Sequence, residues 1–257
     1  MEKLDLVFDV EKLRKELFDV VEKVGEAKIQ AKEFLNSQYV GFGGWSITSR
    51  TGDHRDGWEL GHVVLNQIKE LYNQNDEMRF KVMKYLGISN SFEHKNPTQL
   101  YTNEIEKVVE SFEKLGFYPR RVRLSILKAG KQGDYHRDAP DGHYMVRAHI
   151  PLQTNDKCFF ILENKSYNMK NDGSVYLVDV SKWHQIKNLS NEDRYHIIMD
   201  IWDTKHLTKS MKFCGNIDVL KKEAIEFRKK IDSINLTEND ILFFNNIKQK
   251  YINKYTG

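Results

Sequence analysis

The chain has 257 residues, with 40 Lys+Arg against 37 Asp+Glu and a formal charge of +3. That length allows one generous core or two small ones, and lysines spread along a near-neutral chain give no strong field for nucleic acid or a membrane surface. Cys158 and Cys214 stand far apart without a C-x-x-C pattern, which suggests neither a disulfide framework nor a zinc site, and no apolar run reaches the roughly 18 residues of a spanning helix.

The opening MEKLDLVFDVEKLRKELF interleaves charges with its apolar residues and so has no signal-peptide core; the chain reads as soluble and cytoplasmic. After the apolar segment from Leu4 to Phe8, Asp9 can cap a helix carrying Leu13, Leu17, Val20 or Val21 and Val24 at helical spacing. Tyr39 to Ser49, rich in glycine, reads as strand and bend, followed by the charged loop RTGDHRDGWE. A second helix starts near Asn103, with Glu106 three residues on, turns Ile105, Val108, Val109, Phe112 and Leu115 inward, and stops at Gly116.

From Arg120 to Asp203 the pattern changes to short period-two segments separated by turn residues. We expect strands at about 120–129, 134–138, 144–152, 157–163, 165–170, 173–179, 183–188 and 193–202. Eight short strands fit a double-sheet jelly roll or small barrel, and Asn171-Asp172-Gly173 carries a hairpin signal. Helical patterning resumes with LKKEAIEFRKKI and a helix capped by Thr237 that places Ile241, Phe244, Ile247 and Tyr251 on one stripe. The fold expectation is mainly β with flanking helices: one domain over 1–204 (helical support 1–119, β core 120–203) and a helical extension over 205–257. That extension suits either a cover for the mouth of the barrel or a homodimer contact.

The chemistry-bearing residues lie in the β region. Side chains two apart on a strand share a face, so His136 and Asp138 can both reach one metal while Arg137 faces away. His184, 48 positions on, ends a run that reads as a buried strand. Two imidazoles and one carboxylate, leaving other positions open, form the facial arrangement of non-haem Fe(II) oxygenases. Read blandly, His136 is a surface histidine and His184 packs beside Trp183. Arg194 adds a fork that binds a carboxylate bidentately, as the far end of 2-oxoglutarate requires. If 183–188 and 193–202 form a hairpin, Arg194 lies roughly 13 to 16 Å along the ladder from His184. The competing reading is an exposed turn arginine paired with Asp193 or Glu192. Arg147 and His149 are again same-face neighbours, suited to the C1 carboxylate of the co-substrate or an acidic group of the substrate, although Arg147 can equally satisfy a buried acid. Trp45, Trp58 and Arg123 are candidates for shaping a substrate pocket, Trp45 being as easily core, and His143 reads as a solvated loop residue.

Three segments, LSILKAGKQGDYHRDAP, VRAHIPL and GSVYLVDVSKWHQIKNLSNEDRYHIIMDIW, together resemble the aspartyl/asparaginyl β-hydroxylase family, which includes bacterial proline hydroxylases. The resemblance covers about 120–203 and implies a double-stranded β-helix, Fe(II), 2-oxoglutarate, O2 and hydroxylation of an amino-acid carbon. It implies that His136, Asp138 and His184 ligate iron and that Arg194 binds the distal carboxylate. Ser125 matches a position that can hydrogen-bond the co-substrate, Arg147 and His149 match positions near co-substrate and substrate, and Asn188 belongs to the same run. Asp138 argues against halogenation, which needs that carboxylate replaced by a small residue. Desaturation by the same oxidant, or a non-catalytic cupin-like module binding a metal and a small acid, are the alternatives. The substrate, a free amino acid or a residue of a peptide or protein, is not named by any motif.

Overall fold

The computed structural model describes residues 1–29, 41–56, 81, 91, 94–133, 135, 146–180, 182–201 and 233–247. By contacts the chain divides into two compact units, Met1–Trp58 with Ser91–Ile217, and Glu59–Asn90 with Asp218–Gly257. The first holds β1 (Glu2–Val7), α1 (Val10–Val24), β2 (Lys28–Ile29), β3 (Phe42–Ser46), β4 (Thr48–Ser49), β5 (Asn96–Pro97), α2 (Asn103–Lys114) and β6 (Pro119–Leu127), then β7 (Val146–Gln153), β8 (Cys158–Leu162), β9 (Lys165–Tyr167), β10 (Ser174–Asp179), β11 (His184–Asn188) and β12 (Arg194–Ile201). In the second unit α3 (Glu238–Ile247) begins as expected: Thr237 Oγ1 accepts from Asp240 N, Asp240 accepts back from Thr237 N, and Phe244 is buried.

The two described helices of the first unit follow local chemistry. Asp9 accepts from Lys12 N at the start of α1, and Leu13 and Leu17 are buried. The cap of α2 is Thr102, accepting from Ile105 N, one residue before the expected Asn103. Ile105, Val108 and Phe112 of α2 are buried, and Gly116 takes a φ of +81°, beyond the helix, where a side chain would be strained.

Seven strands form one sheet in the order β1-β10-β7-β12-β6-β3-β2, and β11-β8-β9 form a second. Segment 132–133 extends the smaller sheet, since Gln132 bridges to Lys187 and Gly133 N donates to Ile186 O at 2.8 Å. Counting from β6, strands one, eight, three and six therefore lie together in one sheet, and strands two, seven, four and five in the other. That interleaving is the double-stranded β-helix, or jelly roll. Phe160 and Leu162 of β8 share a buried cluster with Tyr176 and Val178 of β10, so the two sheets face each other.

Each face of the large sheet has its own chemistry. Val122, Leu124 and Ile126 of β6, Val146, Ala148, Ile150 and Leu152 of β7, and Ile197, Met199 and Ile201 of β12 pack with α1 and α2 in the main core. The alternate residues, which point into the roll, include Arg123, Ser125, Arg147, His149, Arg194, His196 and Asp200.

Two local expectations are corrected. Asn171-Asp172-Gly173 makes no hairpin: β9 pairs with β8 and β10 with β1 and β7, so this turn carries the chain between sheets. The tight hairpin is β8–β9, where Glu163 and Asn164, at φ +46° and +67°, supply the two left-handed residues of a type I′ turn. Likewise β11 and β12 form no hairpin, because β11 pairs with β8 and β12 with β6 and β7. Arg194 consequently stands opposite Leu127, not residue 188 or 189.

Candidate functional site

His184 opens β11 and is 3% exposed. Its Nδ1 lies 2.9 Å from Lys182 O. Because a carbonyl only accepts, Nδ1 carries the proton and Nε2 the lone pair, the tautomer a metal ligand needs. The ring stacks on Phe160 with centroids 5.6 Å apart, so His184 does not pack on Trp183. Trp183 instead stacks half-exposed on Tyr135, with centroids 5.5 Å apart. The register of Gln132 with Lys187, extended along the antiparallel pair, brings Tyr135 level with His184. The residue before His136 thus lies against the residue before His184. His136, Asp138, His143, Trp58 and Cys214 lie outside the described residues; no metal-ligand cluster occurs among the described ones.

Arg194 opens β12 and is 3% exposed. The turn-arginine reading fails, since Asp193 pairs with Lys128 at 2.8 Å and raises the pKa of that lysine by its hydrogen bond. Burial lowers the Arg194 guanidinium to about 10, partly offset by Cys158. Among the described residues its polar contact is Nη2 to His196 Nδ1, at 3.0 Å, and it has no carboxylate partner. A buried guanidinium with a single neutral partner is short of an anion.

Four rings run from this arginine to the candidate metal ligand. His196 meets His149 at 5.8 Å, His149 meets Phe160 at 5.3 Å, and Phe160 meets His184. Neither ring nitrogen of His149 has a hydrogen-bond partner among the described residues. Burial first, then the nearby Arg194 and Arg147 charges, hold His149 neutral by pushing its pKa well below the usual histidine value. Ser125 is buried beside this row, opposite His196 in the β6–β12 register.

Arg147 and Asp200 face each other across β7 and β12, with Arg147 Nε donating to Asp200 Oδ1 at 3.0 Å. The buried-acid alternative for Arg147 is therefore realised, and it fixes the guanidinium within the same face as His149. Arg123 is buried on that face, opposite Ile198. Trp45 is not a pocket residue: it belongs to the core on the other face, where its Nε1 donates to Gly25 O at 2.9 Å.

Asn188 has a structural role not foreseen from the sequence. Its side-chain amide donates to Leu127 O, Lys128 O and Glu192 O, and its Oδ1 accepts from Ser190 N, Ser190 Oγ and Cys158 Sγ. This one residue ties the end of β11 to the end of β6 and to the turn that delivers Arg194. His196 was missed altogether, although the spacing Arg194-x-His196 repeats the two-residue step of Arg147-x-His149.

A jelly roll whose inner face carries a tautomer-fixed histidine at one end and an anion-short arginine at the other belongs to the cupin-like class of β-helix proteins. The family model for aspartyl/asparaginyl β-hydroxylase matches residues 11–204. The chain belongs to that family. Solved structures with some likeness include the Schizosaccharomyces pombe Cnp3 cupin domain, 19% identical over 38% of this chain and 64% of that one, with a TM-score of 0.28. A cupin domain from Bordetella pertussis is 18% identical over 32% of this chain and 80% of that one, with a TM-score of 0.27. The chain thus spans just under two thirds of the Cnp3 domain. A comparison with curated proteins finds no match. The strand order and register described above are what define the fold.

Proposed function

We propose that the protein is an Fe(II)/2-oxoglutarate-dependent dioxygenase that hydroxylates an sp3 carbon of an amino acid or of an amino-acid residue in a peptide or protein. The observation that carries this reading is Arg194, buried to 3% exposure with no carboxylate partner among the described residues and linked through the rings of His196, His149 and Phe160 to a histidine whose Nε2 carries the lone pair. A dicarboxylate bridging the two ends would neutralise the guanidinium at one end and meet the metal at the other.

In this reading His136, Asp138 and His184 hold the iron, which supplies O2 activation and hydrogen abstraction when bound. Arg194 and Ser125 bind the distal carboxylate of 2-oxoglutarate. Arg147, aimed by Asp200, and His149 face the C1 carboxylate or an acidic group of the substrate. Arg123 borders the substrate side of the same face. The protein contributes orientation, since misplacing a reacting atom by about 1 Å can cost on the order of 100-fold.

Purified protein given Fe(II), ascorbate and 2-oxoglutarate should release succinate slowly, and faster with the true substrate among free amino acids and Asp/Asn-containing peptides. His136→Ala should abolish metal binding and turnover; full activity in that variant would refute the triad. Absence of succinate release from the wild type with every candidate would favour a binding module.

A further inference from the structure

We infer that His196 is a second anion-binding and positioning residue, holding the Arg194 guanidinium through Nδ1 and offering Nε2–H to the carboxylate bound there. This rests on the reading of Arg194 as a carboxylate clamp and adds the residue that completes it.

Donor chemistry fixes the ring. A guanidinium has no acceptor, so in the 3.0 Å contact Arg194 donates and His196 Nδ1 accepts. Nδ1 then holds a lone pair, and the remaining proton is on Nε2. That nitrogen is buried and has no hydrogen-bond partner among the described residues, in a side chain that is 0% exposed. A buried donor without an acceptor is costly. Nδ1 is satisfied by Arg194, so it is the Nε2–H that calls for an acceptor.

The surroundings say which acceptor. His149 is next to His196, with both ring nitrogens lacking partners among the described residues, and Ser125 faces His196 across the strand pair. With His149 turned to the other end of the co-substrate, the anion at Arg194 meets a guanidinium, the His196 Nε2–H and the Ser125 hydroxyl. A carboxylate is acceptor-only, carries the charge Arg194 lacks, and can take one oxygen to the guanidinium and the other to Nε2–H. Proximity to Arg194 also keeps His196 neutral, its pKa pushed well below the usual value by burial and then by that charge. The contact with Arg194 therefore persists across the working pH range.

The test separates the two roles of the ring. In His196→Asn the amide oxygen takes the place of Nδ1 and still accepts from Arg194, whereas the distal donor is gone; His196→Leu removes both. With full-length Zn(II)-substituted protein and 2-oxoglutarate in a calorimeter, affinity should fall about tenfold in His196→Asn and about a hundredfold in His196→Leu. Binding of 2-oxobutyrate, which keeps the 2-oxo acid and lacks the distal carboxylate, should be the same in all three proteins. Equal 2-oxoglutarate affinity in wild type and His196→Asn, or equal losses for 2-oxobutyrate, overturns the proposal. If His196→Leu does not fold, the comparison of wild type with His196→Asn decides alone. Failure of the wild type itself to bind 2-oxoglutarate would instead refute the reading of Arg194.

Discussion

The Asn188 amide donates to the carbonyl of Leu127 at 3.0 Å, and this bond crosses from one sheet of the roll to the other. Because the same side chain also holds Glu192 O and Ser190, it sets where β12 begins and hence where Arg194 points. Asn188→Ala should leave several buried carbonyls and N–H groups unpaired at a cost of about 3 kcal/mol. Urea unfolding of the apo protein would read that loss, and a weaker 2-oxoglutarate affinity should accompany it because the arginine loses its anchor. Wild-type stability in this variant would mean that the turn is held elsewhere.

Arg194→Met offers a sharper pairing of effects. Burying a guanidinium without an anion costs stability, and replacement by an apolar side chain of similar length removes that cost. The apo variant should melt a few degrees higher than wild type, yet lose the upward shift that 2-oxoglutarate gives the parent protein. For wild type, co-substrate binding should also weaken as pH rises through about 10, where Arg194 loses its charge. Differential scanning fluorimetry across pH with and without 2-oxoglutarate checks both.

Acidification should destabilise the metal-free protein steeply. Burial holds His149 and His196 well below the usual histidine value and lowers His94 to about 3. Below about pH 6.5 the unfolded chain takes up protons at these positions that the folded chain does not, so stability present above 6.5 is lost as pH falls. Three such groups give up to roughly 4 kcal/mol of loss per pH unit. Comparing urea midpoints at pH 7.5 and 5.5 measures this; a flat profile would show that the rings are charged in the fold.

Gly173→Ala should detach the first strand. Gly173 has φ +84°, and an added Cβ would lie 2.1 Å from Phe8 O, backbone that cannot give way. Phe8 N also donates to Gly173 O at 2.9 Å, so relief of the clash breaks the contact that closes β1 onto β10. A loss of about 3 kcal/mol or more, together with faster proteolysis near the N-terminus, is expected.

Much of this was readable in the chain because side-chain parity is a local property. Arg147-x-His149 had to share a face, as had every second residue of 193–202, and the apolar alternates Ala148, Ile197 and Met199 marked the other face as core. The helix starts at Asp9 and near Thr102 followed from side-chain oxygens that accept N–H groups within one turn. Trp45 was not decidable in this way: a large aromatic after two glycines suits a pocket or a core equally, and only packing under α1 and beside Gly25 chose.

The sequence by itself determined most of the strands between 120 and 201, which of their residues would share a face, and the family to which the chain belongs. Only the tertiary structure decided which strand lies in which sheet. Turn residues such as Asn171-Asp172-Gly173 and Asn188 to Asp193 reverse the chain whether the next strand pairs with the last one or crosses to the facing sheet. The crossing lays the second sheet over the inner face of the first, where Phe160 and Leu162 pack on Tyr176 and Val178, and it brings Arg194, His196 and His149 into one row with His184. Beyond the Arg194-x-His196 step no periodicity encodes that row, because His149, Phe160 and His184 come from other strands and meet it only when the roll closes.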